Sequence, residues 1–145
     1  MLTINVPGEM RGKGRHRIGR GKGGKSVAYS DSKTESAEAW VRWCAIQAVG
    51  QPQLAGPLVL AVDVTCAIPE SWSKRSKVDA VAGVIRPTGK PDADNLLKLI
   101  ADALNKVVWR DDSQLVEVRL SKRYGITPGA VLTIYEDRSA LEDAA

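Results

Sequence analysis

Four aspartates in two pairs mark the part of the sequence that could do chemistry. The stretch "KPDADNLLKLIADALNKVVWRDDSQ" covers residues 90–114, and it places Asp92 and Asp94 before an apolar run and Asp111 and Asp112 after it. Carboxylates are preferred ligands of hard cations such as Mg²⁺, which supply phosphodiester hydrolysis with a nucleophilic water and with positive charge. The chain has one histidine and two distant cysteines, so the acids fit Mg²⁺ or Mn²⁺ rather than zinc.

Both aspartate pairs also have ordinary structural explanations. A helix is predicted to begin at Asp92, where a carboxylate caps free backbone N–H groups and is stabilised by the helix dipole. Asp111 and Asp112 stand just before a predicted strand, where aspartate is a common turn residue. Lys98 lies one turn after Asp94, in a position to steady negative charge on a phosphoryl group. The residues alone leave a metal site and a purely structural role open.

The elements that must position these residues alternate between strands and helices. Trp40 falls on the apolar stripe of the first helix, so we expect it in the core, whereas Trp43 lies off that stripe. A short basic helix over residues 71–83 precedes the second main helix, and the last two strands are expected to pair as a hairpin. The order is strand, helix, strand, helix, strand, strand, which predicts an α/β fold (mixed α+β) with one mixed sheet and two main helices. The six elements cover residues 2–8, 31–50, 57–68, 92 to about 107, 114–125 and 130–137.

A strongly basic segment precedes the first helix. Residues 11–25, "RGKGRHRIGRGKGGK", carry seven Lys or Arg, six Gly and no acid. This composition cannot bury apolar surface, so we predict a flexible loop at about residues 11–26. A cationic arm of this kind neutralises phosphates along a nucleic-acid backbone, and a merely solvated loop is the simpler alternative. The predicted DNA-binding residues are Arg11, Lys13, Arg15, Arg17 and Arg20 in the arm, Lys74, Arg75 and Lys77 in the short helix, and Lys90 in the loop that follows.

Length and composition define the class of protein. The 145 residues predict a single domain spanning residues 1–145, with an acidic tail at about residues 136–145 and a formal net charge of +4. Cys44 and Cys66 fit no metal spacing and are expected to be reduced thiols. The sequence has no apolar run near the ~20 residues of a membrane span and no signal-peptide pattern at its start. We therefore expect a cytoplasmic protein.

The aspartate-rich stretch resembles the signature of the RusA-type Holliday junction resolvases. The resemblance rests on Asp-x-Asp-Asn at residues 92–95, on Lys98 four residues after the second aspartate, on Asp-Ala-Leu at residues 102–104, and on Asp-Asp before Gln114. The segments "IPESWSKRSK" and "VPGEMRGKGRHR" are also similar to phage-type members. The Gly-rich "GRGKGGKS" departs from the shorter members, and the resemblance is strongest over residues 66–124.

This resemblance implies a metal-dependent endodeoxyribonuclease. It implies a homodimer that resolves four-way DNA junctions by two symmetric nicks, in the cytoplasm of a bacterial or phage-infected cell. It implies catalytic and metal-binding roles for Asp92, Asp94 and Asp112, a phosphate-handling role for Lys98, and Asp111 as a further candidate ligand. Two alternatives stay open: a broader nuclease of forks and flaps, and a non-catalytic nucleic-acid-binding module.

The two aspartate pairs are separated by the length of a helix. From Asp94 to Val107 a helix rises about 20 Å at ~1.5 Å per residue. The five residues that lead to Asp112 return at most about 17 Å at ~3.4 Å per residue. Ligands of one Mg²⁺ must converge to about 2.1 Å from the ion, which within one subunit would need a taut path. We therefore predict shared sites, in which Asp112 meets Asp92 and Asp94 of the partner subunit across a two-fold axis.

Overall fold

Six strands and three helices build the part of the chain that the structure, a computed structural model, describes: residues 1–12, 17–20, 26–29 and 32–138. The mixed α+β class predicted from the sequence is confirmed. None of the described helices is long and apolar enough to cross a membrane. In chain order the elements are β1 (Leu2–Pro7), β2 (Arg17–Arg20), β3 (Ser26–Tyr29), α1 (Ser32–Val49), β4 (Leu58–Ala67), α2 (Lys74–Val81), α3 (Ala93–Leu104), β5 (Leu115–Gly125) and β6 (Gly129–Glu136).

The main sheet has the strand order β1-β6-β4-β5. β4 pairs antiparallel with β6 and parallel with β5, and β6 pairs antiparallel with β1. The predicted hairpin between the last two strands is therefore wrong, because β5 and β6 lie on opposite sides of β4. The near-continuous apolar run of β4 places it at the centre of the sheet, as is usual for a strand covered on both sides. The turn over residues 126–128 carries the chain across the end of β4.

The core lies between one face of this sheet and the helices α1 and α3. α3 buries Leu96, Leu99 and Ile100, and α1 buries Val41 and Cys44. These side chains meet a row of buried residues that alternate along the strands, as expected when one face of a sheet is covered. The alternate positions of β4 and β6 point to the other face, where the exposed side chains include Asp63 and Val131.

α3 ends three residues before the predicted boundary. Asn105 leaves the helical conformation with ψ 133°, and Lys106 takes a positive φ of 64°. The chain then continues as a buried turn in which the N–H of Leu54 donates to the Val108 carbonyl at 2.8 Å. The side chain of Trp109 is fully buried there. A buried turn needs apolar residues as a helix does, which is why the apolar pattern extended the helix too far.

The side chain of Trp40 lies outside the core, so its predicted burial is wrong. Trp40 is 43% exposed and Trp43 is 55% exposed. Their rings stack at 5.5 Å with an interplanar angle of 10°, and the Trp40 indole N–H donates to the Pro7 carbonyl at 2.9 Å. The smaller side chains of α1 face the core instead, because they allow a close approach to the sheet.

The basic segment contains a short antiparallel pair of strands. β2 pairs with β3, with Arg17 opposite Tyr29 and Arg20 opposite Ser26. The sequence analysis expected a loop here because Gly and Arg are poor strand formers, and pairing of two four-residue strands leaves little periodicity to detect. Lys13, Arg15 and the end of the acidic tail beyond residue 138 lie outside the described residues.

Candidate active site

Asp92 and Asp94 lie at the start of α3, and both are exposed. Asp92 occupies the N-cap position, but its side chain makes no capping hydrogen bond. Asp94 lies in the first helical turn, where the positive end of the helix dipole stabilises a carboxylate. The capping explanation of Asp92 therefore lacks the contact it requires. Within the described part of the chain, both carboxylates face outward without a protein partner.

The loop that carries Asp92 is held by Lys122 of β5. The Nζ atom of Lys122 donates to the carbonyl of Gly89 at 3.0 Å and to that of Pro91 at 2.9 Å. The guanidinium of Arg86, at the other end of the loop, donates to the Lys122 carbonyl at 2.8 Å. β5 therefore fixes both ends of the loop that leads into α3. Sequence reasoning missed Lys122 because these contacts join residues more than thirty positions apart.

Replacing Lys122 by Met is expected to impair cleavage by loosening this loop. The substitution keeps the length of the side chain but leaves two carbonyls without their charged donor, a loss of about 1.5–3 kcal/mol in the free energy of unfolding. Arg123→Met, at the next and more exposed position of the strand, is the matched control and should change stability little. Urea unfolding measures both variants, and equal stabilities for the two would contradict the positioning role of Lys122.

The basic arm begins directly beside α3. A Cβ atom added to Gly12 would lie 2.9 Å from the Cβ of Asn95 and 3.1 Å from that of Pro91. The residues on either side of Asp92 and Asp94 therefore form the surface on which the arm starts. Arg11 is exposed at this point, and Arg17 and Arg20 lie at the two ends of β2. The glycine at position 12 is explained by this close approach, since a larger residue would push the arm away.

The other predicted DNA-binding side chains surround the same region. Lys98 is exposed one turn after Asp94, and Lys90 is exposed in the loop before Asp92. The segment around α2 reaches the end of β5 through an edge-to-face contact of Trp72 with Tyr124 at 5.2 Å. Its basic side chains are the exposed Lys74, the half-buried Lys77, and Arg75, which is paired with Asp79 at 3.4 Å.

A further carboxylate lies close to this loop. Glu9 and Lys90 line a cavity of about 170 Å³ together with Cys66 and Pro91. Burial raises the pKa of the Cys66 thiol, the positive charge of Lys122 opposes that effect, and Glu9 adds to it. Cys66 and Cys44 are both free thiols, as the sequence predicts. Glu9 was missed because it stands alone in the sequence, with no neighbouring acid to mark it.

The second aspartate pair lies at the opposite end of β5, and its members have different roles. Asp111 caps the 3-10 turn Asp112–Gln114: its carboxylate accepts hydrogen bonds from the Ser113 hydroxyl and from the Ser113 N–H at 3.1 Å. These bonds lower the pKa of Asp111. The turn explanation therefore fits Asp111. Asp112 is exposed, and no described side chain or backbone group is bonded to its carboxylate.

Gln114 holds this turn against the rest of the fold. Its amide nitrogen donates to the carbonyls of Leu54 and Gly56, each at 2.9 Å. Its amide oxygen accepts from the N–H of Arg110 at 2.9 Å and from that of Asp111 at 3.0 Å. The spacing Asp-Asp-Ser-Gln is explained by this network, which presents Asp112 to solvent on a fixed turn.

β5 keeps the two aspartate pairs apart. Asp112 precedes the strand at Leu115, whereas Lys122 contacts the Pro91 carbonyl next to Asp92. An extended strand covers about 23 Å between Leu115 and Lys122 at ~3.3 Å per residue. Within the described residues, no three His, Cys, Asp or Glu side chains come close enough to hold a metal ion. One chain thus brings Asp92 and Asp94 together, which fits part of a hard-cation site, and leaves Asp112 outside it.

Exposed acids among basic side chains on a mixed α+β scaffold are typical of enzymes that act on nucleic-acid phosphates. Residues 7–135 match the family described as Endodeoxyribonuclease RusA. The chain is also 35% identical over 137 residues to the uncharacterized protein YqaN of Bacillus subtilis (strain 168), a match that covers 93% of this chain and 96% of that protein. The chain therefore belongs to the RusA endodeoxyribonuclease family, as the resemblance of its aspartate-rich stretch predicts.

Proposed function

We propose that the protein is a Mg²⁺-dependent endodeoxyribonuclease that resolves four-way DNA junctions by paired symmetric nicks. The observation that carries the proposal is the pair Asp92 and Asp94, which is exposed at the start of α3 and makes no capping bond there. Family membership supports endonuclease activity, and the carboxylate ligands suit Mg²⁺ or Mn²⁺. A purely nucleic-acid-binding module gains nothing from unpaired carboxylates where phosphates must approach.

Each group of the site has a separate task in this mechanism. The bound cation would supply a nucleophilic water and neutralise charge on the scissile phosphate. Asp92 and Asp94 would hold the cation, and Lys122 keeps the preceding loop in place. Lys98 would bind the phosphate from one helical turn away, where its ammonium group favours the more negative transition state. Asp112 would complete the ligand set from a second copy of the chain.

A homodimer with shared sites follows from the separation along β5. If Asp112 belongs to the same metal site as Asp92 and Asp94, two chains must exchange this residue reciprocally. A two-fold axis then relates two identical sites, which suits a four-way junction with two-fold symmetry and yields two symmetric nicks. With Asp111 bound to Ser113, we assign Asp112 as the ligand and Asp111 as the residue that orients the turn.

Neutralising the arm is expected to weaken junction binding without removing cleavage chemistry. Replacing Arg11, Lys13, Arg15, Arg17 and Arg20 by Gln should flatten the salt dependence of binding, by up to about 0.9 in the log–log slope per lost phosphate contact. Titrating junction binding at several salt concentrations measures this slope. An unchanged slope would instead support the simple solvated-loop interpretation of the arm.

Cleavage of synthetic branched DNA tests the proposed function. A labelled four-way junction, a fork and a linear duplex are incubated with the protein in Mg²⁺, in Mn²⁺ and in EDTA. We expect symmetric nicking of the junction that stops in EDTA, while junction binding persists. Equal cleavage of forks would favour the broader branched-DNA nuclease, and cleavage that continues in EDTA would contradict the metal-dependent mechanism. Because the proposed substrate is cellular or phage DNA, we place the enzyme in the cytoplasm of a bacterial or phage-infected cell.

A further inference from the structure

β5 has one free edge in the described sheet. It pairs with β4 on one side and ends the strand order on the other. Two of its valines are uncovered: Val116 is 56% exposed and Val118 is 36% exposed. An exposed edge strand with apolar side chains is a template for pairing with a further strand, and natural proteins normally protect such edges. β5 is also the strand that connects the two halves of the proposed site.

We propose that β5 pairs antiparallel with β5 of a second copy of this chain, about a two-fold axis at Val118. The two four-stranded sheets would then form one continuous sheet across the dimer. This inference rests on the proposed function in one respect: it assigns the contact through which the second copy supplies Asp112. The pairing itself is a claim about the surface of β5 and stands on the observations that follow.

The charges of β5 select this register. Glu117 and Arg119 share one face of the strand, and their side chains lie 3.2 Å apart within one chain. With the axis at Val118, Glu117 faces the partner's Arg119 twice, once on each side of the axis. A shift by two residues in pairing sum sets either Glu117 against the partner's Glu117 or Arg119 against the partner's Arg119, and like charges directly opposite are destabilising. A shift by one would oppose side chains of different faces.

The apolar face of β5 fits the same register. Val118 faces the partner's Val118 at the axis, and Val116 faces the partner's Leu120, so the uncovered valines bury each other. The free part of the edge also has the required extent. Arg86 donates to the Lys122 carbonyl and lies near the Ser121 hydroxyl at 3.4 Å. Since β4 occupies the other side of β5, this loop closes the edge at Lys122 and leaves residues 115–121 open, a segment centred on Val118.

This pairing brings the two halves of the site to the same place. In the register centred on Val118, position 112 comes level with position 124 of the other copy. That is the end of β5 where Lys122 holds the Pro91 carbonyl beside Asp92. Asp112 therefore approaches Asp92 and Asp94 of the partner subunit, and the two-fold axis creates a second, identical site at the opposite end of the joint strand pair.

Disulfide trapping tests the axis directly. In a Cys66→Ser background, Val118→Cys should give a disulfide-linked dimer on mild oxidation, because directly opposed residues in an antiparallel pair lie about 5.5 Å apart between Cα atoms, within disulfide range. Val116→Cys is the matched control. It is the more exposed valine, yet the two copies of position 116 would be offset by four residues, or about 13 Å. A non-reducing gel separates the outcomes. Efficient trapping at position 116 but not 118, or a monomeric wild-type protein, would overturn the proposal.

A charge exchange tests the register independently. Glu117→Arg and Arg119→Glu should each weaken dimerisation at least about tenfold, because each places like charges opposite one another at two positions. The double exchange should restore the dimer, measured by sedimentation equilibrium with circular dichroism as the folding control. A trapped dimer that cleaves no junction would contradict the proposed function alone. Metal-dependent cleavage by a protein that shows neither trapping at position 118 nor charge rescue would contradict this interface alone.

Discussion

Asp92→Asn and Asp112→Asn should each lower junction cleavage by roughly a hundredfold or more, while junction binding stays the same or improves. Each substitution keeps the shape of the side chain and removes one anionic ligand of the proposed cation. It also removes a negative charge from the place that the DNA phosphates approach, so affinity is not expected to fall. Gel-shift binding in EDTA and cleavage in Mg²⁺, measured on the same junction, separate the two effects.

Two other aspartates serve as controls for this prediction. Asp63→Asn makes the same chemical change at an exposed position on the uncovered face of the sheet, and it should leave cleavage unaffected. Asp111→Asn should have a smaller effect than Asp112→Asn, because the Asp111 carboxylate already accepts two hydrogen bonds from Ser113. If Asp111→Asn abolished cleavage and Asp112→Asn did not, our assignment of the ligand within this pair would be wrong.

The sequence predicts the local elements of this protein better than their pairing. Helix α1 follows from its capping residues and apolar periodicity, and it was found at Ser32–Val49. The arrangement of the last two strands was predicted wrongly, because a short turn between strands is compatible with a hairpin and with a crossing over a third strand. The choice depends on how deeply β4 is buried, which is a property of the whole sheet rather than of residues 114–137.

The candidate site shows the same limit. The aspartates could be found from their spacing, but the sequence gave both pairs the same two explanations. The structure distinguishes them through partners distant in the chain: Gln114 reaches Leu54 and Gly56, and Lys122 reaches Pro91. Such contacts leave no periodic signal in a single sequence. Sequence reasoning also attributed the separation of the two pairs to the helix alone, whereas α3 ends at Leu104 and the length of β5 maintains the distance.

Mixing two inactive variants is expected to restore activity if the sites are shared. A mixed dimer of Asp92→Asn and Asp112→Asn chains has one site that carries both substitutions and one that carries neither. With complete subunit exchange about half of the dimers are mixed, so about a quarter of the wild-type number of intact sites should return. Because each mixed dimer has one intact site, the product should be a junction nicked in one strand rather than a resolved duplex pair.

The subunit-mixing assay tests the central claim most directly. Asp92→Asn and Asp112→Asn proteins are mixed under conditions that exchange subunits, and nicking of a labelled four-way junction in Mg²⁺ is compared with each variant alone. A second mixture, Asp92→Asn with Asp94→Asn, is the control, because both substitutions affect the same half of a shared site and no arrangement leaves one intact. Our account predicts single-strand nicking in the first mixture and none in the second. A first mixture that stays as inactive as its components, with exchange verified, would place each active site within one chain and contradict the account.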